Sequence, residues 1–462
     1  MEATLYPYQE YGVKWMLFNE NQKSGPKGGF LCDEMGLGKT IQTLGVIIGN
    51  RKKNTVIIVP KSLVNQWFTE IQCFAPTLKV LKYDGLNRTR DSNDFLKHDI
   101  VLCPYSLLSD KKSLIQSVSW DRVVLDEAHE IRNKQTSAHK NARNLQTSIR
   151  WLLTGTPVFN SMSDFVNLCA FFGIPKHVVQ SNHKQIQDTY ILRRTKKDVK
   201  IEIPRCHIEN VELDMNEDER ALYDQVYSES AESITHIMRS QLGQEQKNMH
   251  VLECLLRVRQ VMIWPNMYYD GVTKKLEQEC IDEKPIENTK KMDILFSMID
   301  EHPEEKAIIF SQFKGEMDYI QKNIQNPVYR IDGSVEKEER VRRLNNFKTA
   351  PNNSIMLIQI KCGGQGLNIQ CASRIYFTAP AWNPSTELQA IGRSHRVGQL
   401  KEVVVKKLVY KNTQKSKSVD QAMMALQGHK SFVCSEVLND DRVKTQIPVK
   451  EISIDAIRNI FR

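Results

Sequence analysis

The chain has 462 residues, with 64 Lys plus Arg against 55 Asp plus Glu, a net charge of +9. Apolar residues make up 40% and charged residues 26%, a balance that excludes long disorder or a low-complexity polymer as the main theme. No apolar run approaches the ~20 residues needed to cross a bilayer, and the ten cysteines stand singly with no CxxC pair, so neither a membrane protein, a disulfide scaffold nor a zinc module is expected.

At roughly 150 residues per unit, the length predicts about three domain-sized pieces. The opening MEATLYPYQEYGVKW carries acids and no apolar core, so a secretory signal is not expected. A modest positive excess permits a polyanionic partner without demanding one.

In chain order, a lysine- and glycine-rich turn leads into GGFLCDEMGLGKTIQTLGVII. Its core, DEMGLGKT from Asp33 to Thr40, runs straight into an apolar helix pattern through Ile41, Leu44 and Ile48. That is a P-loop arrangement, in which backbone N–H groups and a helix N-terminus wrap phosphate oxygens. Asp33, Glu34, Met35, Gly36, Leu37 and Gly38 are the expected loop. Lys39 would reach the β- and γ-phosphates, and the Thr40 hydroxyl would bind Mg²⁺. Asp33 departs from the standard pattern, which has glycine at that position.

Short β-branched runs at 55–59, 100–103, 123–126 and 151–154 are predicted strands. The third runs into VVLDEAHE, with Asp126, Glu127 and His129 at its end. A carboxylate at the carboxyl edge of a parallel strand faces the crevice where ligands bind. Asp126 suits Mg²⁺, held through water, and Glu127 suits orienting and deprotonating an attacking water. His129 suits signalling between loops more than chemistry.

From 213 to 286 the β-branched clusters disappear. Leu222, Val226, Ile234 and Ile237, then Val251, Leu255 and Val258, fall at helical spacing and predict an all-helical insert. The acidic stretch 277–288 reads as a loop. Strands resume at 307–311, 328–331, 355–360, 375–377 and 403–408. Continuous apolar runs suit strands covered on both faces, and their alternation with helices predicts two parallel α/β sheets. QAIGRSHRVGQ, 389–399, carries Arg393 and Arg396 three apart. On a predicted helix both would face one target, and planar guanidinium forks match phosphate oxygens.

With these three segments together, the chain resembles the helicase-related ATPases of superfamily two, and more narrowly the Swi/Snf family of double-stranded DNA translocases. The likeness covers about residues 5–408. LYPYQEYGVKWM is similar to the family's opening motif, which implies that Gln9 contacts adenine. IIVPKSLVNQW is similar to the motif that touches the nucleic-acid backbone, and LLTGTPVFNS to the coupling motif. ILRRTKKDV with the following IP, and LLRVRQVMIWP, resemble the most family-specific signatures. KAIIFSQF, YRIDGSVEKEER, IKCGGQGLNIQCASRIYF, AWNP and the arginine segment complete the family order. The departures are a short stretch between TGTP and ILRR, and Ser394 and Val397 where Ala and Ile are commoner. No RING, bromo-, chromo- or SANT-like module is visible.

The resemblance implies an α/β fold of two RecA-like parallel-sheet lobes in tandem with a helical insert between them. The expected organisation is 1–205 for the ATP-binding lobe, 206–286 for the insert and linker, 287–430 for the second lobe and 431–462 for a tail. ATP and Mg²⁺ are the implied cofactors. Lys39, Thr40, Asp126 and Glu127 would come from the first lobe, and Gly366, Gln389, Arg393 and Arg396 from the second. Lys61, Ser311, Gln312, Gly364 and Trp382 would follow the nucleic-acid backbone.

The implied activity is ATP-driven movement of a monomeric motor along double-stranded DNA, displacing or remodelling nucleosomes or other bound protein without separating strands. Two alternatives stand beside it: a DEAH-type helicase that unwinds DNA or RNA, and an ATP-gated scaffold without productive hydrolysis. The nucleus is the expected location in a eukaryotic host, and the cytoplasm or a viral replication compartment otherwise.

Overall fold

The computed structural model describes residues 4–86, 88–110, 112–155, 162–200, 203–276, 286, 288–363, 367–438 and 458–461. They divide into two compact units, one of residues up to 200 with 430–438 and the other of residues 203–429 with 458–461, each with its own parallel sheet.

The first sheet holds β1 (Lys27–Leu31), β2 (Thr55–Val59), β3 (Val80–Lys82), β4 (Ile100–Pro104), β5 (Trp120–Asp126), β6 (Thr147–Leu153) and β7 (Ile191–Leu192). Their order is β3-β4-β2-β5-β6-β1-β7, and every pairing is parallel. β2 and β4 are buried along their whole length, as expected for strands covered on both faces. One face is covered by α1 (Pro7–Glu20), α2 (Lys39–Gly49) and α3 (Val64–Phe74), which bring Met16, Leu44, Trp67 and Ile71 onto Ile57, Val59 and Leu153. The helix Met162–Phe172 covers the other with Phe165, Leu168 and Phe172 against Phe30, Val56 and Ile58.

Strand β1 is absent from the predicted set because KGGFL lacks a β-branched apolar run. Gly28, at φ +112°, lies so close to β6 that a Cβ there would stand 1.9 Å from the Arg150 carbonyl oxygen. The glycine serves close backbone approach inside a sheet. A buried charge pair fixes α1 on the same sheet. Arg122, on β5, grips Glu20 at 2.6 Å through both Nε and one terminal nitrogen, with both side chains wholly buried. Trp151 adds an indole N–H to Glu20 at 2.8 Å.

The second sheet holds β8 (Cys206–Leu213), β9 (Ala307–Ser311), β10 (Val328–Ile331), β11 (Ile355–Gln359), β12 (Arg374–Phe377) and β13 (Val403–Tyr410). Their order is β10-β11-β9-β12-β13-β8, again with every pairing parallel. Residues 206–213 lie within the stretch that the sequence assigns to the insert, yet they form the edge strand β8. HIENVEL is mostly exposed and polar, so the edge strand lacks the apolar run that marks its neighbours.

The helices Glu217–Arg239, Gln244–Ile263 and Asn266–Leu276 follow. They form no separate globule: Tyr223, Val226, Val258 and Met262 share one core with Ile309, Leu357 and Leu408 of the sheet. Residues 431–438 continue the helix Val419–Leu438, and most of the remaining tail lies outside the described residues. Near the end, the Tyr227 hydroxyl donates to the Ile460 carbonyl and its ring lies 5.3 Å from that of Phe461. Among the described residues, no helix is long and apolar enough to cross a membrane.

Candidate active site

All first-unit candidates except Gln9 sit at the carboxyl edge of the first sheet. The segment Asp33–Gly38 follows β1 and enters α2 at Lys39. Gly38 takes the left-handed conformation at φ 77°, which favours glycine. A Cβ at Gly38 would also come within 2.6 Å of the Gln9 amide nitrogen. Gln9, on α1, is buried and donates to the Leu37 carbonyl at 3.3 Å. It therefore packs directly over the loop. Lys39 Nζ donates to the Asp33 carbonyl at 2.8 Å.

The Asp33 carboxylate is wholly buried and bound by Arg194, whose Nε and backbone N–H donate at 3.0 and 3.1 Å. Gln42, on α2, donates to the same carboxylate at 3.1 Å. Arg194 also donates to the Gln42 side-chain oxygen at 2.7 Å and to the Tyr8 carbonyl. The ILRR segment thus runs as β7 beside β1 and continues along the loop, where Glu34 N–H donates to the Arg194 carbonyl and Arg193 donates to the Cys32 carbonyl. Glu34 is paired with Lys196 at 3.4 Å. Asp33 is thereby engaged in holding the loop, which explains a carboxylate where glycine is standard.

Arg194→Ala would strand that buried charge, and losing one partner of a buried pair costs about 3–5 kcal/mol. A loss of this size is expected in urea unfolding. Arg194→Lys, which keeps charge but not the planar fork, is expected to recover part of it.

Asp126 closes β5. Its Oδ1 accepts the Glu127 backbone N–H at 3.0 Å and its Oδ2 accepts the Trp67 indole N–H at 2.7 Å. The Tyr105 hydroxyl donates to its carbonyl at 2.8 Å. Burial, with the Glu127 carboxylate adding to it, pushes Asp126 up to about 6, against the opposing pull of Trp67 and Lys39. Glu127 holds φ 49°, ψ 50°, a left-handed conformation that is uncommon for a residue with a side chain and recurs at functional sites. Its carboxylate lies 3.3 Å from His129 Nδ1. Lys61, at the turn after β2, is exposed. Trp67, Arg194 and Gln42 fall inside quoted motifs and Tyr105 outside them, but no motif names the partner that each one meets here.

In the second unit, the arginine segment corrects the sequence expectation. The helix Pro384–Ile391 ends at Gly392, so Arg393 and Arg396 lie in the turns that follow it and do not share a helix face. Gln389 remains on the helix. The turns are tied down by the buried Ser394 hydroxyl, which donates to the Ala372 carbonyl at 2.5 Å, and by the Gln399 amide, which donates to Gln370 and Ala372 carbonyls at 3.0 and 3.2 Å. Arg393 is buried, its carbonyl accepting from Ile369 N–H at 2.9 Å, and Arg396 is half-buried.

Ser311 ends β9, wholly buried. Its hydroxyl and the Gln312 amide nitrogen have no hydrogen-bond partner among the described residues. Both atoms are shielded from solvent at the carboxyl edge of the second sheet. Trp382 is half-buried against the core shared by helices and sheet. Gly364 and Gly366 lie outside the described residues, as do residues 156–161 of the coupling motif.

Among the described residues there is no group of three or more His, Cys, Asp or Glu side chains that would cage a metal. Mg²⁺ needs no such cage, because it keeps waters and takes one or two protein ligands plus substrate phosphates. A buried carboxylate at a strand end, with a threonine hydroxyl at the start of α2, fits that donor set. Asp126 and Thr40 would hold the ion.

Residues 8–267 match the SNF2-related domain, and residues 290–398 the helicase conserved C-terminal domain. The putative ATP-dependent helicase/translocase YwqA of Bacillus subtilis is 29% identical over 100% of this chain and 51% of its own length. The TATA-binding protein-associated factor mot1 of Aspergillus fumigatus is 27% identical over 95% of this chain and 27% of its own length. The chain thus spans about half the length of the first relative and about a quarter of the second. Among solved structures, the Sulfolobus solfataricus SWI2/SNF2 ATPase core in complex with dsDNA is 25% identical, with a TM-score of 0.41, covering 100% of this chain and 97% of that one. A SNF2-related domain matched over more than half of the sequence, followed by a helicase C-terminal domain, makes this chain a member of the SNF2 family.

Proposed function

We infer that this chain is an ATP-driven translocase on double-stranded DNA that displaces or remodels bound protein without separating the strands. The observation that carries this is a division of residues: the segment Asp33–Thr40, Asp126 and Glu127 lie at the carboxyl edge of the first sheet, while Arg393 and Arg396 belong to the second unit. Relatives named as a helicase/translocase and as a TATA-binding protein-associated factor support the same reading.

In this scheme the backbone N–H groups at the start of α2 and the Lys39 ammonium receive the β- and γ-phosphates. Asp126 and Thr40 would hold Mg²⁺, which when bound would supply positive charge to neutralise the phosphate oxygens. Glu127 accepts a proton from the attacking water. Arg393 and Arg396 donate to the γ-phosphate as negative charge builds. Neither residue set suffices alone, so hydrolysis requires the units to close, and loss of the γ-phosphate contacts lets them reopen. Lys61, Ser311, Gln312, Gly364 and Trp382 would grip backbone phosphates and sugars, which gives hold without sequence information.

The test compares ATP turnover with duplex DNA, single-stranded DNA, RNA and nucleosomes, together with a strand-displacement assay. Duplex DNA is expected to stimulate most, without strand displacement. The apparent DNA affinity is expected to fall more than about tenfold between ~50 and ~200 mM salt, because phosphate contacts release counterions. Stimulation selective for RNA or single strands, with displacement, would favour a helicase. Salt-insensitive stimulation would count against a backbone track.

A further inference from the structure

The geometry points to Trp67 as a positioning residue for the metal: its indole N–H holds the Asp126 carboxylate in the orientation that receives Mg²⁺. This rests on the reading of Asp126 as the metal-facing group and adds a residue that carries no nucleotide or metal chemistry of its own.

Trp67 lies on α3, 2% exposed, in the core that α2 and β2 also line. Its only polar atom reaches across 59 residues of sequence to Asp126 Oδ2 at 2.7 Å. The other oxygen, Oδ1, takes the Glu127 N–H at 3.0 Å. Each oxygen of a carboxylate has two lone-pair sites. With one site on each oxygen filled from the protein, the carboxylate plane is fixed, and the remaining site on each is left for metal-bound water. A glycine turn or a bare strand end would leave this plane free to rotate. An aromatic core residue could fill the same volume as Phe, so the N–H is the feature that packing alone does not require.

Trp67→Phe tests this, since it keeps an aromatic ring and removes the donor. The readout is binding of a fluorescent ATP analogue, first in EDTA and then titrated with MgCl₂. Binding in EDTA is expected to stay within about twofold of wild type, while the Mg²⁺ midpoint rises about tenfold, the lower end of the loss seen when groups that orient metal ligands are removed. An unchanged Mg²⁺ midpoint, or an equal loss of binding with and without Mg²⁺, would overturn the proposal.

Should Trp67→Phe melt well below wild type, 3-benzothienyl-alanine at position 67 decides the matter, because it keeps the bicyclic ring with sulfur in place of N–H. The same tenfold rise is expected there, and an unchanged midpoint would overturn the proposal. Asp126→Asn separates the two levels of inference. If it leaves the midpoint unchanged, the assignment of Asp126 itself fails. If it raises the midpoint while neither Trp67 variant does, only the role of Trp67 fails.

Discussion

Glu127→Gln is expected to abolish ATP turnover while leaving ATP binding within a fewfold of wild type. Glutamine matches glutamate in size and can keep the left-handed backbone that Glu127 adopts. The backbone N–H that donates to Asp126 is unaffected by the change, so the Asp126 carboxylate keeps its support. What disappears is a group able to take a proton from water, and general-base catalysis typically supplies about 10²–10⁴ in rate. Turnover should fall by that factor in a single-turnover assay, and a fluorescent ATP analogue should still bind. Lys39→Ala should behave differently, losing binding together with turnover, because it removes the proposed phosphate contact. Wild-type-like turnover in Glu127→Gln would remove Glu127 from the role of base.

Arg393→Ala and Arg396→Ala should each lower kcat by about 10³ or more, the range in which an arginine acting on a transferring phosphoryl group contributes. The KM for ATP should change far less, because in the proposed mechanism these residues act as charge develops and not in the initial capture of nucleotide. Lysine should rescue poorly at either position, since it offers a point charge and no planar fork. The two sites differ in one respect. Arg393 is buried with its backbone bonded to Ile369, so its variant needs a melting curve beside the rate measurement. Arg396 is half-buried in the same turns and gives the cleaner comparison. Near-normal kcat in Arg396→Ala with an intact fold would confine the second unit to a role outside the chemistry.

The placement of the candidate residues is legible where a motif compresses them into one short segment. DEMGLGKT and VVLDEAHE each join a strand end to a loop, and both fall at the carboxyl edge of the first sheet. The contacts that hold those segments in place were not legible. Arg194 meets Asp33 across 161 residues and Trp67 meets Asp126 across 59. Such pairs exist only once β7 lies beside β1 and α3 beside β5, and no local pattern encodes that register. Strand β1 was hidden because its glycines permit close approach to β6 but leave it without a β-branched apolar run. Strand β8 was hidden because an exposed edge lacks the apolar run of a central strand. The arginine segment was misread as helix from its three-residue spacing. Gly392 and Gly398, with Ser394 and Gln399 bonded to the 370–372 backbone, make a set of pinned turns instead.

In the proposed mechanism, residues from both units act on one γ-phosphate to hydrolyse ATP. The most direct measurement is a structure of the chain with duplex DNA, ADP, Mg²⁺ and an aluminium fluoride mimic of the transferring phosphoryl group. The expected result is a mimic contacted by Lys39 and by a water on Glu127, with the Arg393 and Arg396 guanidiniums within hydrogen-bond distance of its fluorides. A mimic bound by the first unit alone, with both arginines turned to solvent in the presence of DNA, would contradict it.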